Sequence, residues 1–321
     1  MIKILEIDNF KSIKHLKLEC KKINIFIGKP NTGKSNILET LGILSFGQYV
    51  NYTELKDFVR FENMSNLFYD EDLERNIKIK PDNEILQINF VFDREIFYCK
   101  TPFSSLECDY EGKKINILHY TTNFKKLHFK FYRFAIKERF LRREFDFLLP
   151  PSGDNLLALL IARKELRKFV KDIFEEYGLR IVLKPQENKI EVQKEIEDII
   201  ISYPYSLVSD TLQRVVFHLL AIETNKNSII VFEEPEAHAF PYYTKFLAER
   251  IALDKSNQYF ISTHNPYLLL SILEKAPKDD VRIFITYFED YQTKVKNLSE
   301  EDIKEIMDME IDIFFNIGRF L

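Results

Sequence analysis

The sequence predicts an α/β fold built on a mainly parallel central sheet, with a ligand bound where the strands end. Two observations lead to this prediction. Apolar, strand-like runs at 23–27, 228–232 and 258–262 are each followed by glycine, carboxylate or hydroxyl residues. Helical patterns follow two of these runs, at 243–251 and 266–273. Because strands that alternate with helices pair in parallel, we expect the polar residues after each strand to meet at one edge of the sheet.

The composition favours a soluble protein with a sizeable core. Hydrophobic residues make up 45% of the 321 residues and charged residues 30%, and the mean hydropathy is −0.22. No apolar run is long enough to span a bilayer, and the first residues alternate like a strand, unlike a signal peptide. Cys20, Cys99 and Cys108 form no C-x-x-C pair. We therefore predict a cytoplasmic location without a membrane contact. With a net charge of −4, any nucleic-acid surface must be local.

The N-terminal half is expected to hold strands on both sides of one helix. Residues 1–27 alternate as strands around a turn, and the helix that follows has apolar residues at helical spacing. From 52 to 146 the pattern is mixed, with strand-like runs at 77–79, 85–92 and 127–136.

An insertion of helices and a hairpin is predicted after Pro150 and Pro151. Helical patterns cover 156–162 and 166–177, and 179–183 with 190–192 has the pattern of a hairpin. Ser209 or Asp210 begins the next helix, and Ser299 caps the last one. No heptad pattern is sustained, which excludes a coiled-coil arm.

We interpret the chain as a single domain, 1–321, in three parts. An N-terminal lobe covers 1–149, the insertion covers 150–205, and 206–321 forms the C-terminal half.

The run after the first apolar strand is a complete G-x-x-x-x-G-K-S phosphate loop. Its residues are Gly28, Lys29, Pro30, Asn31, Thr32, Gly33, Lys34 and Ser35, and Asn36 follows in the helix. The glycines let backbone N–H groups curl around a polyphosphate at a helix N-terminus. Lys34 would reach the terminal phosphates, and the Ser35 hydroxyl would bind Mg²⁺. The sequence therefore predicts nucleotide binding.

Carboxylates and a histidine end the other two strands. Glu233 and Glu234 follow the run 228–232, and their side chains are expected to point in different directions. A nucleotide site with Mg²⁺ needs one carboxylate near the metal and one to orient the attacking water. His264 follows the strand 258–262, directly before a helix that begins at Pro266. A lone histidine is more often structural, but beside the other two motifs it is a candidate contact for the γ-phosphate.

Together these motifs resemble the RecF/SMC-like branch of ABC-type ATPases, in particular small stand-alone AAA-family ATPases related to the overcoming-lysogenization-defect (OLD) ATPase domain. The resemblance covers nearly the whole chain. Besides the phosphate loop, it rests on the segments IDNFKSI (7–13), PSGDNL (151–156), SLVSDT (206–211), EEPEAH (233–238) and STHNP (262–266).

The resemblance implies a P-loop NTPase fold with an antiparallel β subdomain and a helical lobe, and it implies roles for single residues. Lys34 and Ser35 would hold the phosphates of ATP and Mg²⁺, and Glu233 would be the Walker B acid at the metal. Glu234 would polarise the attacking water, and His264 would sense the γ-phosphate. Two further roles concern the nucleotide. Lys11 and Ser12 would lie near it, and Ser209 would be the signature serine that reaches the nucleotide of a second subunit, so ATP would join two protomers.

The sequence also departs from the family pattern. Glu233 stands where aspartate is usual, and the signature lacks paired glycines. A glutamine that binds the metal is not evident, since Gln48 and Gln87 are both poor candidates. Hydrolysis is therefore less firmly indicated than binding.

A basic segment from Lys125 to Arg143 leaves two interpretations open. Eight basic residues alternate there with Phe129, Phe131, Tyr132, Phe134 and Phe140. Such a pattern could bind the backbone of a nucleic acid and stack on its bases. The alternative, which we favour, is a strand and a helix with solvated charges over core aromatics.

Two functions from different classes fit the sequence. The first is a slow ATPase that homodimerises around ATP and acts as a switch in DNA handling or in defence against mobile elements. The second is a non-catalytic, ATP-dependent binding module that recruits or controls a separate effector protein. No D-x-D cluster follows His264, so we expect any effector to be separate. A GTPase is disfavoured because the segment 225–228 lacks the aspartate of N-K-x-D.

Overall fold

The computed structural model describes residues 1–121, 128–308 and 313–321. The strands are β1 (Ile4–Phe10), β2 (Ile13–Glu19), β3 (Ile23–Gly28), β4 (Ile77–Pro81), β5 (Leu86–Val91), β6 (Ile96–Lys100), β7 (Ser104–Cys108), β8 (Lys114–Tyr120), β9 (Phe129–Tyr132), β10 (Arg180–Lys184), β11 (Lys189–Ile196), β12 (Ile199–Pro204), β13 (Ile229–Glu233), β14 (Gln258–Ser262), β15 (Val281–Glu289) and β16 (Gln292–Asn297). The helices are α1 (Lys34–Tyr49), α2 (Leu156–Ala162), α3 (Lys164–Glu175), α4 (Asp210–Thr224), α5 (Pro241–Leu253), α6 (Pro266–Lys275) and α7 (Glu300–Asp308).

The central sheet has six strands in the order β16-β15-β3-β14-β13-β9. All neighbours pair in parallel except the β15–β16 hairpin. The predicted mainly parallel sheet is thus confirmed. Its buried strands are short apolar runs because both faces are covered.

The two faces of β3 show how the sheet is covered. Ile23, Ile25 and Ile27 pack into one hydrophobic cluster with residues of α4, α5 and α6. Phe26 faces the other way, into a cluster with α1 and a second sheet. Since α1 lies between the two sheets, nearly every side chain of this helix is buried. The helix that carries the phosphate loop is therefore held on both sides.

The second sheet has seven antiparallel strands in the order β2-β1-β4-β5-β6-β7-β8. It is the antiparallel β subdomain that the family resemblance implied. The sequence indicated β1, β2, β4 and β5 but gave no sign of β6, β7 and β8. The outermost strand, β8, is mostly exposed along its length, so it presents no buried face to the core.

The insertion consists of α2, α3 and a three-stranded antiparallel sheet, β10-β11-β12. The predicted hairpin is present as β10 and β11, but a third strand, β12, extends it. Ile199 and Ile200 at the start of β12 are both 63% exposed, so the strand has no buried stripe that would mark it in the sequence. The division into three parts remains a prediction, and β9 from the first part pairs with β13 from the third.

The longest described helix is α1, with 16 residues, and no coiled-coil arm occurs in the described parts of the chain. Within the same residues, none of the helices combines the length and the apolar character needed to cross a membrane.

Candidate functional site

The carboxyl ends of four parallel strands meet at one edge of the central sheet. In the register of the sheet, Phe26 of β3 lies opposite Ser262 of β14, and Ser262 lies opposite Glu233 of β13. Tyr132, the last residue of β9, lies opposite Phe232. The residues that follow these strands are therefore neighbours, as the sequence predicted for the phosphate loop, the carboxylates and His264.

The phosphate loop has the left-handed backbone that its glycines allow. Gly33 has φ of 94° and Asn31 has φ of 62°. The Lys34 ammonium folds back over the loop and donates to the carbonyl oxygens of Gly28 and Lys29, both at 2.9 Å. Burial lowers the pKa of Lys34 to about 8, against a smaller opposite effect of Glu234. Lys29, Pro30 and Asn31 are exposed, so the tip of the loop is accessible to a ligand.

A ladder of hydroxyl groups from the β15–β16 hairpin supports the loop. Thr286 Oγ1 lies 2.6 Å from Thr32 Oγ1, and Thr293 Oγ1 lies 2.7 Å from Ser12 Oγ. Asn36 Nδ2 in turn donates to Ser12 Oγ at 2.7 Å. Ser12 and Asn36, both predicted near the nucleotide, are thus part of the support of the loop.

Glu233 lies beside the phosphate loop. The Ser35 side chain lies close enough to lower the pKa of this carboxyl, so the two residues predicted to bind the metal are neighbours. Burial opposes ionisation of Glu233 and is the largest influence on its pKa. Ser35, Arg60 and Arg133 together outweigh it and hold the pKa below its usual value.

Glu234 and His264 form the second pair. His264 Nε2 lies 3.4 Å from Glu234 Oε1, and both side chains are partly exposed. Partial burial, and then the charge of Lys34, lowers the pKa of His264. Glu234 has φ of 45°, a strained conformation for this residue type that occurs preferentially at functional sites. The backbone N–H of Glu234 donates to Ser262 O at 3.0 Å and fixes the turn.

Glu236 is a buried acid behind this pair. Its Oε1 accepts hydrogen bonds from the Thr263 hydroxyl and from the backbone N–H of His264, while its Oε2 has no partner among the described atoms. Burial raises the pKa of Glu236 to about 7. The Glu236 side chain therefore links the turn after β13 to the segment that contains His264.

Three charged residues that sequence reasoning missed as a group complete the site. Glu39 on α1 is fully buried and accepts contacts from Lys11 Nζ at 2.5 Å and from Arg60 Nε at 2.8 Å. Arg133, directly after β9, also reaches Glu39. One signal was present in the sequence, because Glu39 is the only charged residue between Ser35 and Glu54 in an otherwise apolar helix. Lys11, which the resemblance placed near the nucleotide, contacts the site through Glu39.

The residues present fit a divalent cation. Ser35 and Glu233 supply a hydroxyl and a carboxylate oxygen, the ligand types that Mg²⁺ prefers. Positive guanidinium groups now satisfy Glu233, which shows that the position accommodates a cation. Two protein ligands agree with a Mg²⁺ that completes its shell with phosphate oxygens and water. No group of three or more His, Cys, Asp or Glu side chains within the described residues could hold a metal by itself.

The predicted signature serine and the two glutamines considered as metal ligands take no part in these contacts. Ser209 is exposed at the start of α4, and no hydrogen bond among the described residues links it to the phosphate loop. Gln48, weighed as a metal ligand, is buried in α1 and accepts from the backbone N–H of Phe129. Gln87 lies in β5 of the antiparallel sheet.

The basic segment does not form one surface with its aromatics. Phe129, Phe131, Tyr132 and Phe140 belong to the core, so they are unavailable for stacking on bases. Lys130 is also buried, with Nζ 3.0 Å from the centre of the Phe147 ring. The remaining basic side chains separate: Arg133 joins the site, Lys137 pairs with Asp154, Arg142 bonds Asn188, Arg143 bonds the Tyr52 carbonyl, and Arg139 is exposed. Lys125 and Lys126 lie outside the described residues. The interpretation as core aromatics is confirmed, although no helix follows β9 in this segment.

Comparison with known proteins identifies the family. Residues 23–271 match the family described as "AAA domain, putative AbiEii toxin, Type IV TA system". The chain belongs to this family. It is related to ABC-type ATPases of the RecF/SMC type, as the motifs indicated.

Curated relatives match over shorter stretches. The chain is 30% identical over 98 residues to the DNA replication and repair protein RecF of Caldanaerobacter subterraneus subsp. tengcongensis, which is 27% of this chain and 27% of that protein. It is 41% identical over 68 residues to RecF of Clostridioides difficile, covering 21% of this chain and 18% of the relative. An ATP/GTP phosphatase of Helicobacter pylori is 34% identical over 104 residues, 29% of this chain and 28% of that protein. The chain thus spans under a third of the length of each.

Solved structures resemble the whole chain in fold. An Smc head bound to the C-terminal winged-helix domain of ScpA has a TM-score of 0.54 at 16% identity, covering 94% of this chain and 99% of that chain. An Smc head domain with an extended coiled coil, bound to a C-terminal domain of ScpA and derived from Pyrococcus furiosus, gives 0.53 at 14% identity, covering 96% and 99%. At such identities the likeness concerns the fold alone.

Proposed function

We propose that the protein binds ATP with Mg²⁺ at the edge of the central sheet and hydrolyses it slowly, as a switch that joins two copies around the nucleotide. One observation carries the proposal. The Ser35 side chain lies close enough to Glu233 to lower the pKa of its carboxyl, and Glu234 lies 3.4 Å from His264, at the end of the strands next to the phosphate loop. This arrangement supports the proposal that these side chains serve the metal, the attacking water and the γ-phosphate.

Each residue has a defined task in this proposal. The Lys34 ammonium exchanges its two loop carbonyls for phosphate oxygens, and the backbone N–H groups of 28–35 surround the phosphates. Glu234 orients a water and draws its proton, while His264 donates to the terminal phosphate. Bound Mg²⁺, held by Ser35 and Glu233, would neutralise charge on the phosphates.

Exposed apolar side chains near Ser209 support the pairing of two copies. Thr211 Oγ1 donates to His238 O at 2.7 Å, which ties the start of α4 to the loop after Glu234. Leu207, Phe240 and Tyr242 on these segments are 73%, 67% and 64% exposed. Large apolar side chains grouped on a surface indicate an interaction site. We propose that this surface, with Ser209, meets the nucleotide of a second copy.

For the output of the switch, the relatives suggest two directions. A protein named for DNA replication and repair aligns with 27% of this chain at 30% identity, and the family description names a putative toxin system. We propose DNA handling or defence against mobile elements, through a separate effector. The proposal does not depend on the segment 125–143, because its core aromatics cannot stack on bases.

The test measures oligomeric state and phosphate release together. Light scattering coupled to size exclusion, with and without Mg-ATP, is run beside phosphate release for wild type and Glu234→Gln. We expect the wild type to dimerise with ATP and release phosphate, and the variant to stay dimeric while turnover falls at least about a hundredfold. Glu274→Gln, an exposed glutamate on α6, controls for the lost charge. A wild type that binds no ATP would exclude the proposed function.

The alternative, a non-catalytic binding module, is supported by the guanidinium groups on Glu233. Arg60 and Arg133 each lie 3.2 Å from this carboxylate and compete with a metal for it. In that case Mg-ATP still produces the dimer, but wild type and Glu234→Gln release equally little phosphate.

A further inference from the structure

Glu39 organises three cations beside the proposed metal site. Its side chain has no exposed surface, and its two oxygens contact Lys11 Nζ, Arg60 Nε and Arg133 Nη2. A buried carboxylate of this kind persists only where partners neutralise it. The three cations are thereby held at the end of α1 that carries the phosphate loop.

Two of these cations reach a second carboxylate. Arg60 Nη2 lies 3.2 Å from Glu233 Oε1, and Arg133 Nη2 lies 3.2 Å from Glu233 Oε2. Both oxygens of Glu233 are therefore in contact with a guanidinium group. Lys11, Arg60 and Arg133 together face Glu39 and Glu233, which leaves one positive charge in excess.

Arg133 is the better fixed of the two arginines. It directly follows β9, whose last residue pairs with Phe232, so the sheet register places Arg133 beside Glu233. Its guanidinium lies 5.1 Å from the centre of the Phe131 ring, and its side chain is 27% exposed. Arg60 follows no strand, and its side chain is 58% exposed.

A metal ion and Arg133 would compete for the carboxylate of Glu233. A divalent cation on this carboxylate would lie close to the guanidinium group, and like charges repel strongly in a partly buried site. Glu39, however, offers Arg133 a second partner at 3.4 Å on the same nitrogen. Arg133 can therefore leave Glu233 without becoming an unpaired charge.

We propose that Arg133 is a positioning residue that holds Glu233 when no metal is bound, yields this carboxylate to a divalent cation, and then presents its guanidinium to the phosphates of the nucleotide. The inference rests on the proposed nucleotide function and adds a residue to it. A planar guanidinium is suited to phosphate oxygens, and Glu39 keeps it in reach of the phosphate loop.

The test exploits two effects of opposite sign in Arg133→Gln, using the full chain. Binding of Mn²⁺ alone is measured by electron paramagnetic resonance, and binding of tripolyphosphate in EDTA is measured by calorimetry. We expect Mn²⁺ to bind about three- to tenfold more tightly, because a competitor is lost, and tripolyphosphate to bind about three- to tenfold more weakly. Arg143→Gln, in the same segment but bonded to the Tyr52 carbonyl, should change neither affinity.

Further variants keep the result interpretable. Arg133→Lys retains the charge, so its Mn²⁺ affinity should stay near that of the wild type even if Arg133→Gln folds poorly. Adding Glu233→Gln to Arg133→Gln should abolish the gain in Mn²⁺ binding. If both affinities of Arg133→Gln are unchanged, or both fall together, the inference is overturned while the nucleotide function stands. If the wild type binds neither tripolyphosphate nor ATP, the proposed function fails, and the inference with it.

Discussion

Replacing Glu236 with glutamine should make the stability of the protein less dependent on pH. Burial raises the pKa of this carboxyl from 4.5 to about 7. In the folded protein the side chain keeps a proton that the unfolded chain releases above pH 4.5. The contribution of Glu236 to stability is therefore most favourable at low pH and is lost as the pH rises through about 7.

The size of the effect follows from this shift. Ionising Glu236 in the folded protein costs about 3 kcal/mol more than in the unfolded chain. Glutamine cannot ionise, and its carbonyl oxygen still accepts from the Thr263 hydroxyl and the His264 N–H. The amide nitrogen of the glutamine would stand where Glu236 Oε2 now lies without a hydrogen-bond partner. We expect this unpaired amide to lower the free energy of unfolding by about 1 kcal/mol at every pH.

Urea unfolding of wild type and Glu236→Gln from about pH 4 to about pH 8 measures the difference. The free energy of unfolding of the variant, relative to wild type, should rise by about 3 kcal/mol across this range. Readings lie on both sides of the isoelectric point near 6.0, where solubility is lowest. Glu274→Gln on α6 serves as the exposed control. A constant difference between Glu236→Gln and wild type would show that burial does not shift this carboxyl.

Three more predictions concern the loop and the core. Gly33→Ala combines φ of 94° with a clash between the new Cβ and Thr293, so calorimetry should show at least a roughly tenfold loss of ATP affinity while circular dichroism shows a folded protein. Lys130→Met should raise the melting temperature at neutral pH, because burial holds the pKa of Lys130 far below its usual value. The gain should shrink towards about pH 10, where the unfolded chain also loses this charge, and an unchanged melting temperature would contradict a cost of burying Lys130 over Phe147. Asn155→Ala should lower the free energy of unfolding by about 2–3 kcal/mol, since it removes the partner of the buried Leu149 N–H and of the part-buried Phe147 carbonyl; a loss under about 1 kcal/mol would mean that water replaces the amide.

The sequence predicted those parts of the site that consist of consecutive residues. The phosphate loop, the acids after β13 and the histidine after β14 each combine a strand with the residues that directly follow it, and the parallel sheet then brings them together. The mainly parallel central sheet and its antiparallel companion followed from the same patterns and from the family resemblance.

The ion cluster could not be predicted in this way. Glu39, Arg60, Arg133 and Glu233 come from four separate segments, and their contacts depend on which strands are neighbours in the sheet. The pairing of β9 with β13 could not be read from either strand, because both are short and the register between two strands is not encoded in one of them alone. For the same reason the sequence left a nucleic-acid surface open for the basic segment 125–143 beside the favoured core aromatics, whereas its described residues diverge to the core, the site and the insertion.

The hydroxyl ladder of the β15–β16 hairpin determines how far towards the C-terminus a functional fragment of this protein must extend. Every nucleotide motif lies before residue 267, and the family match ends at 271. Yet Thr286 and Thr293 support the phosphate loop, and β15 pairs along the full length of β3. A truncation after 271 would keep all motifs but turn β3 into an unprotected sheet edge with a loosened loop. A fragment that contains every motif is therefore shorter than the fragment needed to hold the phosphate loop in place.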